Sequence, residues 1–167
     1  MPKAPINGIE LYYESHGDDS APAIIFAHGR GGNHMSWWQQ VAAFFGEFRC
    51  ITFDHRGWGA SIAEHGTPLR ENFIDDLTAL LDYLKIDKTF LVAQSMGGFS
   101  CLGFALAHPE RTLGLVLGDT TGGVATEGTL AALKNTTPAP EGPARSLSAS
   151  FIQENQALTF LYQQVQG

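Results

Sequence analysis

The 167 residues suffice for one domain with a sizeable core, and the 16% charged content lies well under the usual quarter. A chain so sparsely charged either covers a sheet on both faces or leaves apolar surface for something else to cover. The formal net charge is −7 and no basic run occurs, which leaves nucleic acid and anionic membranes outside the expected partners.

The opening, MPKAPINGIELYY, lacks a charged region followed by an apolar one, so no signal peptide is expected, and no apolar stretch reaches transmembrane length. Residues 9–14, IELYYE, alternate roughly apolar and polar, as a half-buried antiparallel strand does, with a second strand expected beside it. AIIFAHG (23–29) is apolar without alternation and predicts a strand buried on both faces. Ser36 with Gln39 forms a capping-box pattern, after which Trp37, Trp38, Val41, Phe44 and Phe45 fall on one helical stripe and read as core. CITF (50–53) is the next buried strand and runs into DHRGWGAS, where Asp54 and Arg56 read as a pair holding the loop.

Thr67-Pro68 is a helix-start signal. Beyond it Phe73, Ile74, Leu77, Leu80, Leu81 and Leu84 line one face, while Asp75, Asp76 and Asp82 read as a solvated face. TFLVAQ (89–94), the helix MGGFSCLGFALAH and LGLVLGD (113–119) follow, the last as a fourth buried strand. TTPAPEGPARS (136–146) is linker-like and separates a helical piece near 128–134 from a second one with Phe151, Leu158, Leu161, Tyr162 and Val165 on a stripe. Cys50 and Cys101 sit in apolar runs, without metal-like spacing, and read as buried thiols of a soluble cytoplasmic protein.

Buried strands alternating with amphipathic helices predict an α/β fold, a mostly parallel sheet with right-handed crossovers and helices on both faces. Ligands of such sheets sit beyond the carboxyl ends of the strands. The loops HGRGGN, DHRGWGAS, QSMGG and DTTGG all fall on that edge.

Within VAQSMGG, a sharp strand-to-helix turn would strain the Ser95 backbone, expose its Oγ and direct the Met96 N–H at a reacting carbonyl. Ala93, Gly97 and Gly98 supply the small neighbours that such a close strand–helix passage needs, and Gly103 would let the helix lie flat on the sheet. Gly29 opens the loop after the strand ending at His28, and Gly31 and Gly32 let it fold back, so the Arg30 N–H is the second candidate oxyanion donor. The helix N-terminus adds a field favourable to developing negative charge.

HGRGGN, FDHRGWGAS, VAQSMGG and LVLGDTT, in this order and spacing, resemble the α/β-hydrolase superfamily, most of all its small soluble esterases, lactonases and cofactor-free haloperoxidase-like members. The resemblance runs from about residue 6 to residue 124 and departs at Ala93, where the family usually has Gly. It implies Ser95 as nucleophile, His28 as brace of the oxyanion loop, a small ester or lactone as substrate, and neither metal nor organic cofactor. It also implies a carboxylate after a later strand and a histidine after the last one. Residues 1–123 then read as a core through its sixth strand and 124–167 as the start of a helical cap, with the last strands and the triad histidine lacking.

The histidines offer no substitute. His108 lies about 20 Å down the helix from Ser95, His16 and His65 read as solvated, and His34 and His55 as loop or rim residues. Asp119 is either a catalytic acid or a carboxylate that accepts from the Thr120 and Thr121 amides. Two functions remain: a serine hydrolase needing a completing C-terminal segment or a second copy, or a catalytically incompetent domain that assembles through an unfinished sheet edge.

Overall fold

A computed structural model describes residues 2–63, 69–134 and 142–165. The chain forms two compact units, Met1–Gly123 and Val124–Gly167. In the first, β1 (Lys3–Ile6) and β2 (Ile9–His16) pair antiparallel across Asn7-Gly8. Both turn residues have positive φ, 45° and 76°, as a type I′ hairpin requires and as Asn-Gly provides most easily.

The remaining strands are β3 (Ala23–Ala27), β4 (Arg49–Phe53), β5 (Thr89–Gln94) and β6 (Thr112–Gly118), and the sheet order is β1-β2-β4-β3-β5-β6. From β4 to β6 every pairing is parallel, so the four strands end on one edge. Ala27 stands opposite both Phe53 and Ala93, and Gln94 stands opposite Gly118. His28, Asp54, Ser95 and Asp119 therefore all leave the sheet along one rim.

Alternation along the strands divides the core. Ile25, Ala27, Ile51, Phe53, Leu91 and Ala93 face one side, covered by α2 (Phe73–Tyr83) and α3 (Gly97–Ala107) through Leu77, Leu80, Leu81, Cys101 and Phe104. Ile24, Phe26 and Cys50 face the other, where Trp37 and, from α1 (Trp38–Phe44), Val41 pack against them. Helices thus cover both faces. Both cysteines are free and buried.

Four local expectations are corrected. The capping box begins at Asn33, with Ser36 as the residue that reaches back to the Asn33 N–H, because a 3-10 turn at 34–37 starts the helix one turn early. That turn and a seven-residue α1 cannot hold the whole aromatic stripe inward, and Trp38, Phe44 and Phe45 are exposed. LGLVLGD is not buried: Leu113, Val116 and Leu117 are exposed because, among the described residues, β6 has a strand neighbour on one side only. Gly103 does not lie on the sheet but meets Ile74, so its missing side chain lets α2 and α3 approach.

The helix-start signal Thr67-Pro68 lies outside the described residues; α2 follows a 3-10 turn at Arg70–Asn72. The second unit contains α4 (Glu127–Lys134), α5 (Ala149–Glu154) and α6 (Gln156–Val165), α5 being capped by the Ser148 side chain, which accepts from the Phe151 N–H. No described helix is long and apolar enough to cross a membrane.

Candidate active site

Ser95 is the first residue after β5, and its φ is +49°, a left-handed conformation that a non-glycine residue adopts at a cost of order 1 kcal/mol or more. Both of its main-chain groups are fixed. The N–H donates to the Gly118 carbonyl at 3.0 Å, and the carbonyl accepts from the Gly98 N–H at 3.0 Å and from Thr120 Oγ1 at 2.6 Å. The half-buried side chain has no hydrogen-bond partner among the described residues.

The glycines around it are spatial necessities. A Cβ on Gly97 would run into the Ala27 backbone, and one on Gly98 into the Thr120 side chain. One on Gly29 would collide with the Gln94 carboxamide and lie 3.3 Å from the Ser95 Cβ. The loop after β3 therefore passes directly beside the serine. The Thr120 side chain ties Ser95 to the loop after β6, a role that only the small polar run DTT signals in the sequence.

The conformation of that loop follows from His28, which is fully buried. Its Nε2 accepts from the His55 N–H at 3.0 Å, so the proton sits on Nδ1, which donates to the Gly29 carbonyl at 2.8 Å. The Gly32 N–H donates to the same carbonyl, and Gly31 adopts φ +85° to allow it. A trans peptide points its N–H opposite its C=O, so pinning the Gly29 carbonyl aims the Arg30 N–H the other way. Neither the Arg30 nor the Met96 N–H has a main-chain or side-chain acceptor among the described residues. Burial outweighs the Gly29 bond and lowers the His28 pKa, which keeps the ring neutral.

The loop after β4 differs from expectation. Arg56 does not pair with Asp54 but with Asp76, through Nε to Oδ2 at 2.8 Å and Nη2 to Oδ1 at 2.6 Å. Asp76 is buried, not solvated, because the α2 face that carries it turns toward this loop; Asp75 and Asp82 are exposed. Asp54 accepts instead from the N–H and Nδ1 of His34 and from the Ala60 N–H. Burial is the largest single influence and opposes both charges, but the hydrogen bond and charge attraction between the two, with the Ala60 and His34 N–H groups donating to Asp54 and the Glu14 charge near His34, together outweigh it, so Asp54 titrates lower and His34 higher than ordinary carboxyl and imidazole groups.

His55 is no rim residue. It is buried between Phe53, Phe73 and His28, with Nε2 3.0 Å from Ser100 Oγ. Burial, then the neighbouring His28, pushes its pKa well below the ordinary value. His16 ends β2 bonded to Glu14, and His108 caps α3 near Thr78; His65 lies outside the described residues. Asp119 has φ +48° and is exposed, and no bond to the Thr120 or Thr121 amide forms. Thr120 Oγ1 takes the capping role, accepting from the Gly122 N–H. Among the described residues no group of three or more His, Cys, Asp or Glu side chains is placed to hold a metal ion.

A family profile described as the alpha/beta hydrolase fold matches residues 22–160. The 3-oxoadipate enol-lactonase 1 of Acinetobacter baylyi is 32% identical over 120 residues, which cover 72% of this chain and 45% of that enzyme. The 3-oxoadipate enol-lactonase 2 of the same organism is 34% identical over 112 residues, 67% of this chain and 42% of that one. Among solved structures, the enol-lactonase of Burkholderia xenovorans gives a TM-score of 0.80 at 27% identity, over 98% of this chain and 66% of that one. Est816, described as an N-acyl homoserine lactone degrading enzyme, gives 0.73 at 27% identity, over 98% and 64%. The chain thus spans less than half the length of the curated relatives it matches.

Proposed function

The chain belongs to the alpha/beta hydrolase fold family, and from that premise we propose that Ser95 is the nucleophile of a hydrolase acting on small carboxylic esters or lactones. The observation that carries this reading is the left-handed Ser95 backbone with Gly29 packed against its Cβ. In this reading the Ser95 hydroxyl, which has no hydrogen-bond partner among the described residues, works beside the Arg30 and Met96 N–H groups.

The chemistry follows. Ser95 Oγ adds to the ester carbonyl carbon while a base takes its proton. The carbonyl π electrons move onto oxygen, and the Arg30 and Met96 N–H groups donate to it. Collapse expels the alkoxide, which recovers the proton from the base, and leaves acyl-Ser95. Water then repeats the sequence and releases the acid. In a lactone the expelled alkoxide remains tethered to the acyl group by its own carbon skeleton, so the second step releases a single hydroxy acid.

The base is not among the five described histidines, whose rings are engaged by Glu14, by Gly29 and His55, by Asp54, by Ser100 and, for His108, beside Thr78. We assign it to a completing segment: a continuation of the chain, a separate chain or a second copy. Asp119, exposed at the carboxyl end of β6, is the candidate acid that would orient such a histidine. Residues 124–167, helical in their described parts, read as the start of a cap. Without the base, only a small residual rate remains.

The test is to incubate the purified chain with a fluorophosphonate probe and a short-chain nitrophenyl ester beside Ser95→Ala. Labelling and turnover that vanish in the variant support the proposal; equal labelling of both proteins overturns it. The exposed Leu113, Val116 and Leu117 on the edge strand favour the second reading, an assembly module. Silence in both proteins, together with concentration-dependent association, would select it.

A further inference from the structure

A buried hydrogen-bond chain runs between the two halves of the candidate oxyanion pocket, and its centre is His55. On one side its main-chain N–H donates to His28 Nε2 at 3.0 Å, and His28 Nδ1–H donates to the Gly29 carbonyl at 2.8 Å. On the other side its ring Nε2 lies 3.0 Å from Ser100 Oγ, and Ser100 donates to the Gly97 carbonyl at 2.9 Å. His28 and His55 also touch edge to face, 4.6 Å between centroids, and the Phe53 and Phe73 rings flank the His55 imidazole.

Proton counting fixes the ring. Ser100 has one hydroxyl hydrogen, and it is given to Gly97; the oxygen therefore accepts, and His55 Nε2 must carry the proton. That leaves Nδ1, which is buried without a partner, as a bare lone pair. The opposite tautomer would bury an unpaired N–H, the rarer and costlier orphan. The two histidines are thus neutral with opposite tautomers, Nδ1–H at His28 and Nε2–H at His55.

We propose that His55 is a positioning residue that couples the two oxyanion donors: its backbone sets the Arg30 N–H through His28 and Gly29, while its ring sets the first turn of α3, and so the Met96 N–H, through Ser100 and Gly97. The inference rests on the assignment of Ser95 as nucleophile for its catalytic meaning, but not for the hydrogen-bond chain itself. Neither donor belongs to the same loop as His55, and each half is held from outside its own segment. Loss of the ring contact loosens one donor relative to the other.

The experiment uses the whole 167-residue chain in four forms: wild type, His55→Gln, His55→Leu and Ser100→Ala. The Gln side chain can still donate to Ser100; the Leu side chain fills the space between Phe53 and Phe73 but cannot. Long-range 1H–15N spectra of the histidine rings should show Nδ1–H for His28 and Nε2–H for His55. The rate of Ser95 labelling by a fluorophosphonate should fall at least about tenfold in His55→Leu and Ser100→Ala, a part of the hundredfold or more that full loss of a donor produces. His55→Gln should stay within about threefold of wild type, by the same scale. Melting temperatures should not follow this order, since Leu removes a buried polar orphan.

An Nδ1–H tautomer at His55, or wild-type labelling rates in both Leu and Ala variants, would overturn the proposal, as would labelling that merely tracks melting temperature. If the wild type itself is not labelled, the missing base accounts for it and the labelling rates bear on neither Ser95 nor His55. The coupling is then judged by amide cross-peaks: Ser100→Ala must shift those of both Arg30 and Met96, and a shift at Met96 alone refutes it.

Discussion

Replacing Asp76 by asparagine removes one charge and leaves the shape of the side chain almost unchanged. In the native protein both Asp76 oxygens accept from Arg56, at 2.6 and 2.8 Å, and Oδ1 also accepts from Asn7 Nδ2 at 2.9 Å. The two side chains are only 3% and 4% exposed, so the guanidinium abandoned by Asp76→Asn cannot turn to water. Beyond the single neutral amide oxygen that the variant keeps, its one described acceptor is the Asn7 carbonyl. Breaking a buried pair on one side costs about 3–5 kcal/mol, which in a chain of this size lowers the melting temperature by roughly 6–20 °C. The double replacement Arg56→Met with Asp76→Leu leaves no charge stranded, and should fall within about 1 kcal/mol of wild type. Urea unfolding followed by tryptophan fluorescence reads this cleanly, because Trp37, Trp38 and Trp58 all lie in the first unit. A loss below about 1 kcal/mol in the single variant, or a double variant as unstable as the single one, would refute the reasoning.

Gly97→Ala forces a methyl group against the Ala27 backbone and should cost about 1–3 kcal/mol, whereas Gly46→Ala, with open space around it, should be neutral or stabilising by up to about 1 kcal/mol; paired urea titrations compare them. His28 and His55 have folded pKa values below the ordinary 6.5, so their contribution is complete above that pH and declines as pH falls toward their folded values, at up to about 1.4 kcal/mol per pH unit for each. His34 has the opposite sign: its pKa is raised, so its bond to Asp54 contributes fully below 6.5 and is lost as pH rises through the folded value. Urea midpoints measured from pH 5 to 9 should therefore decline on both sides of near-neutral pH, and His34→Gln should flatten the alkaline side alone. The Cys101 thiol, fully buried and pushed up to about 12, should resist a disulfide reagent until the protein is unfolded, together with buried Cys50; rapid labelling in native buffer would contradict this.

Strands β3, β4 and β5 were legible because they lie inside the sheet, where burial on both faces writes an unbroken apolar run. β6 carries the same kind of run, LGLVLG, yet is exposed: a strand's composition does not record whether it has one neighbour or two. The turn at Ser95 was legible from small residues whose spacing is demanded by steric contact. The partners of charged groups were not. Asp76 follows Asp75 on a helix, and only the placement of the loop after β4 decides which of them meets Arg56. His55 sits in a polar loop sequence, and nothing local marks it as the residue that ends between two phenylalanines.

The tethers of Ser95 have a mechanical corollary. Its amide hydrogen is fastened to Gly118 and its carbonyl to Thr120, so both anchors belong to β6 and the residues just after it. That strand is the outermost among the described residues, and a strand at such a margin opens locally at lower cost than one inside the sheet. Whenever the margin of the sheet peels away, the serine backbone is freed to relax from its left-handed geometry, and whatever braces that margin keeps the hydroxyl cocked.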